Sequence, residues 1–182
     1  MKEIKLFISA IFLTVLLLVP GLAVALESDN SASSSATIDV YAAFWPLVPG
    51  KTMGDSMYSL KLFKETIGEW FSFGDIKKAE YYITLSEKRI LEANKLFVDN
   101  KDYNNGSKTL EANQKYMKKA FELIKKAERD QQKVDSVKGK FNTSLENQEK
   151  IFKLLQSQVP DDQKSQFNKA LENTNSYLML LP

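Results

Sequence analysis

The chain has 182 residues, 43% hydrophobic and 26% charged, with 25 basic against 23 acidic side chains. That suffices for one compact domain plus an address segment, and the near-balanced charge lacks the basicity of a dedicated nucleic-acid binder, so no nucleic-acid partner is expected. Cysteine and histidine are absent, which removes disulfides, thiol nucleophiles, lipidated cysteines, thiolate and imidazole metal sites, and the commonest general base.

The chain opens with "MKEIKLFISAIFLTVLLLVPGLAVALES". Lys2 and Lys5 supply a positive start, Leu6 to Val19 is continuously apolar, and Ala23-Val24-Ala25 is a small-x-small cleavage pattern behind the helix-breaking Pro20-Gly21. Residues 1–25 therefore read as a signal peptide. The competing reading is an uncleaved anchor, because Leu6 to Leu26 is also about the length that spans a bilayer. Both place the rest of the chain outside the cytoplasm, secreted or in the cell envelope. Residues 26–40 are small and polar and read as a disordered tether.

Residues 41–182 form the expected domain, with residues 41–54 as an N-terminal extended arm. Its "YAAFWPLVPG" is too apolar for a solvated linker, and Pro46 and Pro49 forbid a regular helix. It either packs across a groove or exposes an aromatic patch to a partner. From residue 55 the apolar spacing is helical, and signals for strands are scarce. Helix one should run from Ser56 to Trp70, capped by Asp55 or Ser56, with Met57, Leu60, Phe63, Ile67, Trp70 and Phe71 on its apolar face. Helix two should follow Gly74, with Asp75 as cap, and run from Ile76 to about Val98. Ile76, Ala79, Ile83, Ile90, Ala93 and Phe97 form its stripe, and Lys77, Thr84, Lys88 and Lys95 its wet face. Helix three should run from Tyr103 to about Gln132 behind Asp102, or start later at Ser107. Helix four is expected over Val134 to Gln158, and helix five from Pro160 onward. Short links between long amphipathic helices imply an all-α, antiparallel up-and-down bundle of four to five helices.

The chemistry-bearing patterns are few. Lysines and arginines between residues 115 and 140 outnumber acids nine to four, but Tyr116 and Phe121 lie on the apolar side of that helix, so the stripe reads as a solvated face. The acid pairs Glu65/Glu69 and Glu87/Glu92 fall on helix surfaces with nothing marking a cleft. No Ca-loop, haem, phosphate-loop or nucleophile-elbow motif is present. No catalytic, cofactor-binding or metal site is expected.

Arg89 is the exception to the pattern. With Ile76 at zero, a ~100° step puts it near 220°, inside the apolar sector bounded by Leu85 and Tyr82. A guanidinium there must snorkel or find carboxylates. Glu92 lies three residues on, and on helix one Glu65 and Glu69 need a cation. A hairpin turning near residue 73 puts Glu65 level with Tyr81, about 12 Å short of Arg89 along the axis. Arg89, Glu92, Glu65 and Lys61 are thus candidates for a structural ion-pair cluster.

"MYSLKLFKETIGEWFSFGDIKKAEYYITLSEKRILEANKLF" resembles a family of exported bacterial and archaeal helical domains classed only as a domain of unknown function. The matching positions are Tyr58, Leu60, Lys61, Glu65, Lys78, Ala79, Glu87, Lys88, Arg89, Glu92 and Ala93. The resemblance implies export and a helical fold, and no activity. The expected role is a non-enzymatic binding or scaffolding domain of the cell envelope. Its partner is an envelope protein or anionic polymer, with membrane contact only if the first segment is retained. The alternative is a sensor for a small ligand or cation held in a crevice between helices one to three.

Overall fold

The computed structural model describes residues 39–181. The expected signal or anchor at residues 1–25, and the tether up to residue 38, lie outside them. The described residues form five α-helices and no strand: α1 Tyr58–Trp70, α2 Asp75–Asn94, α3 Tyr103–Arg129, α4 Asp135–Gln158 and α5 Ser165–Leu180. A π-helical segment, Lys95–Asp99, prolongs α2, and 3-10 turns occupy Ala42–Phe44 and Asp161–Gln163. The fold is the expected all-α bundle.

The helix ends show where local chemistry differs from the sequence reading. Asp55 does not cap α1, because its carboxylate turns back to accept the Thr52 backbone N–H at 2.6 Å. The helix starts later, at Tyr58. Gly74, with φ +82°, precedes α2 in a conformation that favours glycine. Asp75 becomes the first helical residue, 2.9 Å from Lys126 Nζ. Asp102 does cap α3, accepting the Asn105 N–H at 3.1 Å. The Asn-Asn-Gly stretch is helical behind that cap, and its glycine is required because the Phe97 ring packs where a Gly106 side chain would stand. Pro160 opens a 3-10 turn, and α5 begins only at Ser165.

Asp39 and Val40, in the segment read as tether, already belong to the folded arm. Asp39 accepts the Tyr41 and Ala42 N–H groups, which rolls the chain into a 3-10 turn instead of a fully extended run. Val40 and Phe44 are buried in the core, whereas Trp45 is 82% exposed.

Helix α2 is the centre of the bundle. Its second half is buried nearly all round, including Ser86, Arg89, Ile90, Leu91, Glu92, Ala93 and Asn94, because α1, α3 and α4 surround it. The core has two apolar clusters. One holds Phe97, Leu110, Ile151, Phe152 and Phe167. The other holds Ile83, Leu85, Met117, Ile124, Phe141 and Leu145. Along α2, α3 and α4 a polar layer separates them. Asn113 donates to the Ser86 carbonyl at 2.8 Å and to Gln148 Oε1 at 2.7 Å, and Gln148 donates to Ser86 Oγ at 3.1 Å and Ser144 Oγ at 3.0 Å. Side chains from three helices must stand level for these bonds to form, so the layer fixes helix register.

Helix α1 reverses the expected orientation. Met57, Leu60, Phe63, Trp70 and Phe71 were expected to face the core, yet all are exposed. The only buried residue of α1 is Glu65. Its charged side is turned to the bundle because that is where Arg89 needs neutralising.

Replacing Gln148 by Ala should cost about 1–3 kcal/mol for each polar partner left unsatisfied, beyond lost packing. The double change Asn113→Leu, Gln148→Met, which removes both amides, should cost less than Gln148→Ala alone. Urea midpoints of the two variants check this ordering.

Candidate functional site: the Arg89 clamp

Antiparallel pairing of α1 with α2 keeps Glu65 level with Tyr81, whose hydroxyl donates to the Glu65 carbonyl at 2.7 Å. The axial gap to Arg89 is closed by side-chain direction. Helical side chains lean toward their own N-terminus. In an antiparallel pair, Glu65 and Arg89 therefore lean toward each other.

Arg89 is 1% exposed and Glu92 fully buried. The guanidinium Nη2 bonds Glu65 Oε2, and Nη1 donates to Glu92 Oε1 at 2.7 Å. Lys61 Nζ pairs with the same Glu92 oxygen and also donates to the carbonyls of Lys51 at 2.7 Å and Pro49 at 3.1 Å. The rings of Tyr116 and Tyr58 flank the guanidinium, 5.6 and 6.0 Å from it to their centroids. Two cations and two anions thus join the arm, α1 and α2 at one point, and the Tyr116 ring brings α3 to it. Sequence reasoning named all four charges; the structure brings them together. It did not find the lysine's hold on the arm or the tyrosine walls, which only the folded chain assembles.

The electrostatics follow from burial. Burial works against the Arg89 charge, but Glu92 and Glu65 outweigh it and hold its pKa above the ordinary value. Burial raises the Glu92 pKa despite Arg89 and Lys61, and lowers that of Lys61 despite Glu92. Burial also pushes the Tyr58 hydroxyl up to about 12.

The remaining acids divide by environment. Glu69 accepts the Tyr82 hydroxyl. Glu87 stands apart from Glu92, on a groove formed with α4 residues Ser144 and Asn147, where burial raises its pKa. Neither expected acid pair is brought to face a common cleft. The space between helices one to three is filled by the clamp, and an open groove of about 520 Å³ lies beside it, between the arm and α1–α2, with Lys51, Lys64 and Lys88 among its lining residues. Five of the nine basic residues of the stripe reach acids: Lys118, Lys125, Lys126, Lys138 and Lys140 pair with Glu122, Glu128, Asp75, Glu128 and Glu80. Among the described residues no group of acids could hold a metal ion, and no helix is long and apolar enough to cross a membrane.

These features define an all-α bundle domain whose first helix is latched by a buried ion cluster. The chain belongs to DUF5667, a domain of unknown function, whose family model matches residues 50–177. That span holds the clamp, helices α1 to α4 and most of α5. No match exists among the curated proteins or the solved structures.

The clamp gives an ordered set of outcomes. Glu92→Ala or Glu65→Ala leaves a guanidinium that cannot lose its proton, so each should cost about 3–5 kcal/mol. Arg89→Leu should cost less, because the surplus carboxylate can take up a proton. In that variant the acid's folded pKa lies above its unfolded value of about 4.3. The folded state then binds more protons, and stability relative to the parent should rise as pH falls from 7 toward 5. Urea melts at both pH values check the order and the sign; equal, near-zero losses would mean the clamp contributes nothing.

Proposed function

We propose that this protein is an exported, non-enzymatic bundle domain that binds or scaffolds a component of the cell envelope through the outer side of α1. The observation that carries the reading is the inverted helix: α1 spends its charges on the bundle and leaves a row of large apolar side chains uncovered. Such a row on a monomer surface marks an interaction site. Export is supported by the apolar run and Ala23-Val24-Ala25 of the sequence. A non-enzymatic role is supported by the pairing of Glu65 and Glu92 with Arg89 and of Glu69 with Tyr82, which leaves these acids bonded internally. The envelope protein or anionic polymer expected from the sequence remains the partner class of this reading.

A second reading, a sensor for a small anion, is favoured by the lysines around the groove beside the clamp. Inorganic phosphate should then raise the melting temperature by mass action, and Lys88→Ala should abolish the rise.

The leading reading is tested in whole cells. Protease added to intact, wall-stripped cells should degrade the protein, and complete protection would refute export. Leu60→Ser with Phe63→Ser should shift stability by no more than about 0.5 kcal/mol per site, as for other exposed positions. The same pair should release the processed protein from the envelope pellet into the supernatant.

A further inference from the structure

The outer side of α1 also indicates what it touches. We propose that Leu60, Phe63, Trp70 and Phe71, continued by Phe73, seat the domain on the surface of an anionic lipid bilayer. The inference rests on the binding role assigned above to this face and replaces the protein or polymer partner of that reading by lipid.

Geometry is the first support. At ~100° per residue the bundle-facing side chains Lys61, Glu65 and Glu69 centre about 180° from Phe63, Ile67 and Trp70. The apolar row therefore points directly away from the domain, where a flat surface can meet it. Trp70, Phe71 and Phe73 are 71%, 72% and 76% exposed.

Charge is the second. Both carboxylates of α1 are turned inward, Glu65 to Arg89 and Glu69 to the Tyr82 hydroxyl. The exposed polar positions of the helix are Ser59, Lys64 and Thr66, one cation and no acid. Near Phe73, Lys77 and Lys140 both reach the single carboxylate of Glu80, at 3.2 and 2.5 Å, which leaves that end of the face one positive charge in excess. An apolar helix face rich in aromatics, cleared of negative charge and flanked by lysine, is the composition that lies in a lipid interface, with tryptophan at headgroup depth.

Area argues against a second copy of the chain. A 13-residue helix is about 20 Å long and, with side chains, about 10 Å wide. One side of it falls short of the roughly 800 Å² per partner typical of a stable interface. A bilayer imposes no such threshold of shape or area, because each apolar side chain gains on entering it independently. The contact does not require that the first segment be retained.

The test uses tryptophan fluorescence of the full chain. Trp45→Phe leaves Trp70 as the sole tryptophan. With vesicles of phosphatidylglycerol and phosphatidylcholine carrying brominated acyl chains, Trp70 emission should shift to the blue and be largely lost. Phe63→Glu, at an exposed site and checked by an unchanged circular-dichroism melt, should restore the emission. Vesicles of phosphatidylcholine alone should quench less. Equal Trp70 emission with brominated and unbrominated lipid would overturn the proposal. A blue shift that instead grows with protein concentration without lipid would assign the face to a second copy and overturn it too. Protease accessibility is read separately. Degradation without quenching sinks only the lipid partner, whereas protection from protease sinks export.

Discussion

The structure depends on one charge that cannot be neutralised. Arg89 sits on the most enclosed helix of the bundle, and a guanidinium holds its proton at any accessible pH. An unpaired charge at that depth would cost several kcal/mol. The fold therefore brings carboxylates to it: Glu92 from the same helix and Glu65 from α1. Lys61 balances the second acid and, through the Pro49 and Lys51 carbonyls, fastens the arm. Such a cluster adds little net stability compared with apolar packing, but it makes any other seating of α1 expensive. Its effect is specificity of arrangement.

The orientation of α1 follows from that requirement. An amphipathic helix can bury either side, and hydrophobicity favours the apolar one in the absence of competition. Here the competition is a buried cation, which any other seating of α1 would strand at a cost of about 3–5 kcal/mol. The apolar row is left outside, and an interaction surface arises as the counterpart of an internal electrostatic need. The polar layer of Ser86, Asn113 and Gln148 acts alike across the other helices. It interrupts an apolar core that could slide and gives it one register.

Belonging to DUF5667 describes the fold shared by residues 50–177 and leaves activity open. The physical content lies in how the segment that carries the resemblance is used. Tyr58, Lys61, Glu65, Arg89 and Glu92 are scattered over two helices in sequence and meet at a single point in space.

The helices, their order and the anomaly at Arg89 were all legible in the amino-acid sequence. Helical periodicity, the Gly74 turn and the Asp102 cap act over a few residues, so local reading suffices for them. It also held an unread signal for the polar layer, since Asn113 falls in the apolar stripe between Leu110 and Met117, and Gln148 between Leu145 and Ile151. Packing settles which way α1 faces, that Asp55 serves the Thr52 turn instead of the helix, and that the second half of α2 is buried nearly all round. Each of these is a competition between partners far apart in the chain. Its outcome turns on burial and charge pairing, which exist only once the helices have packed.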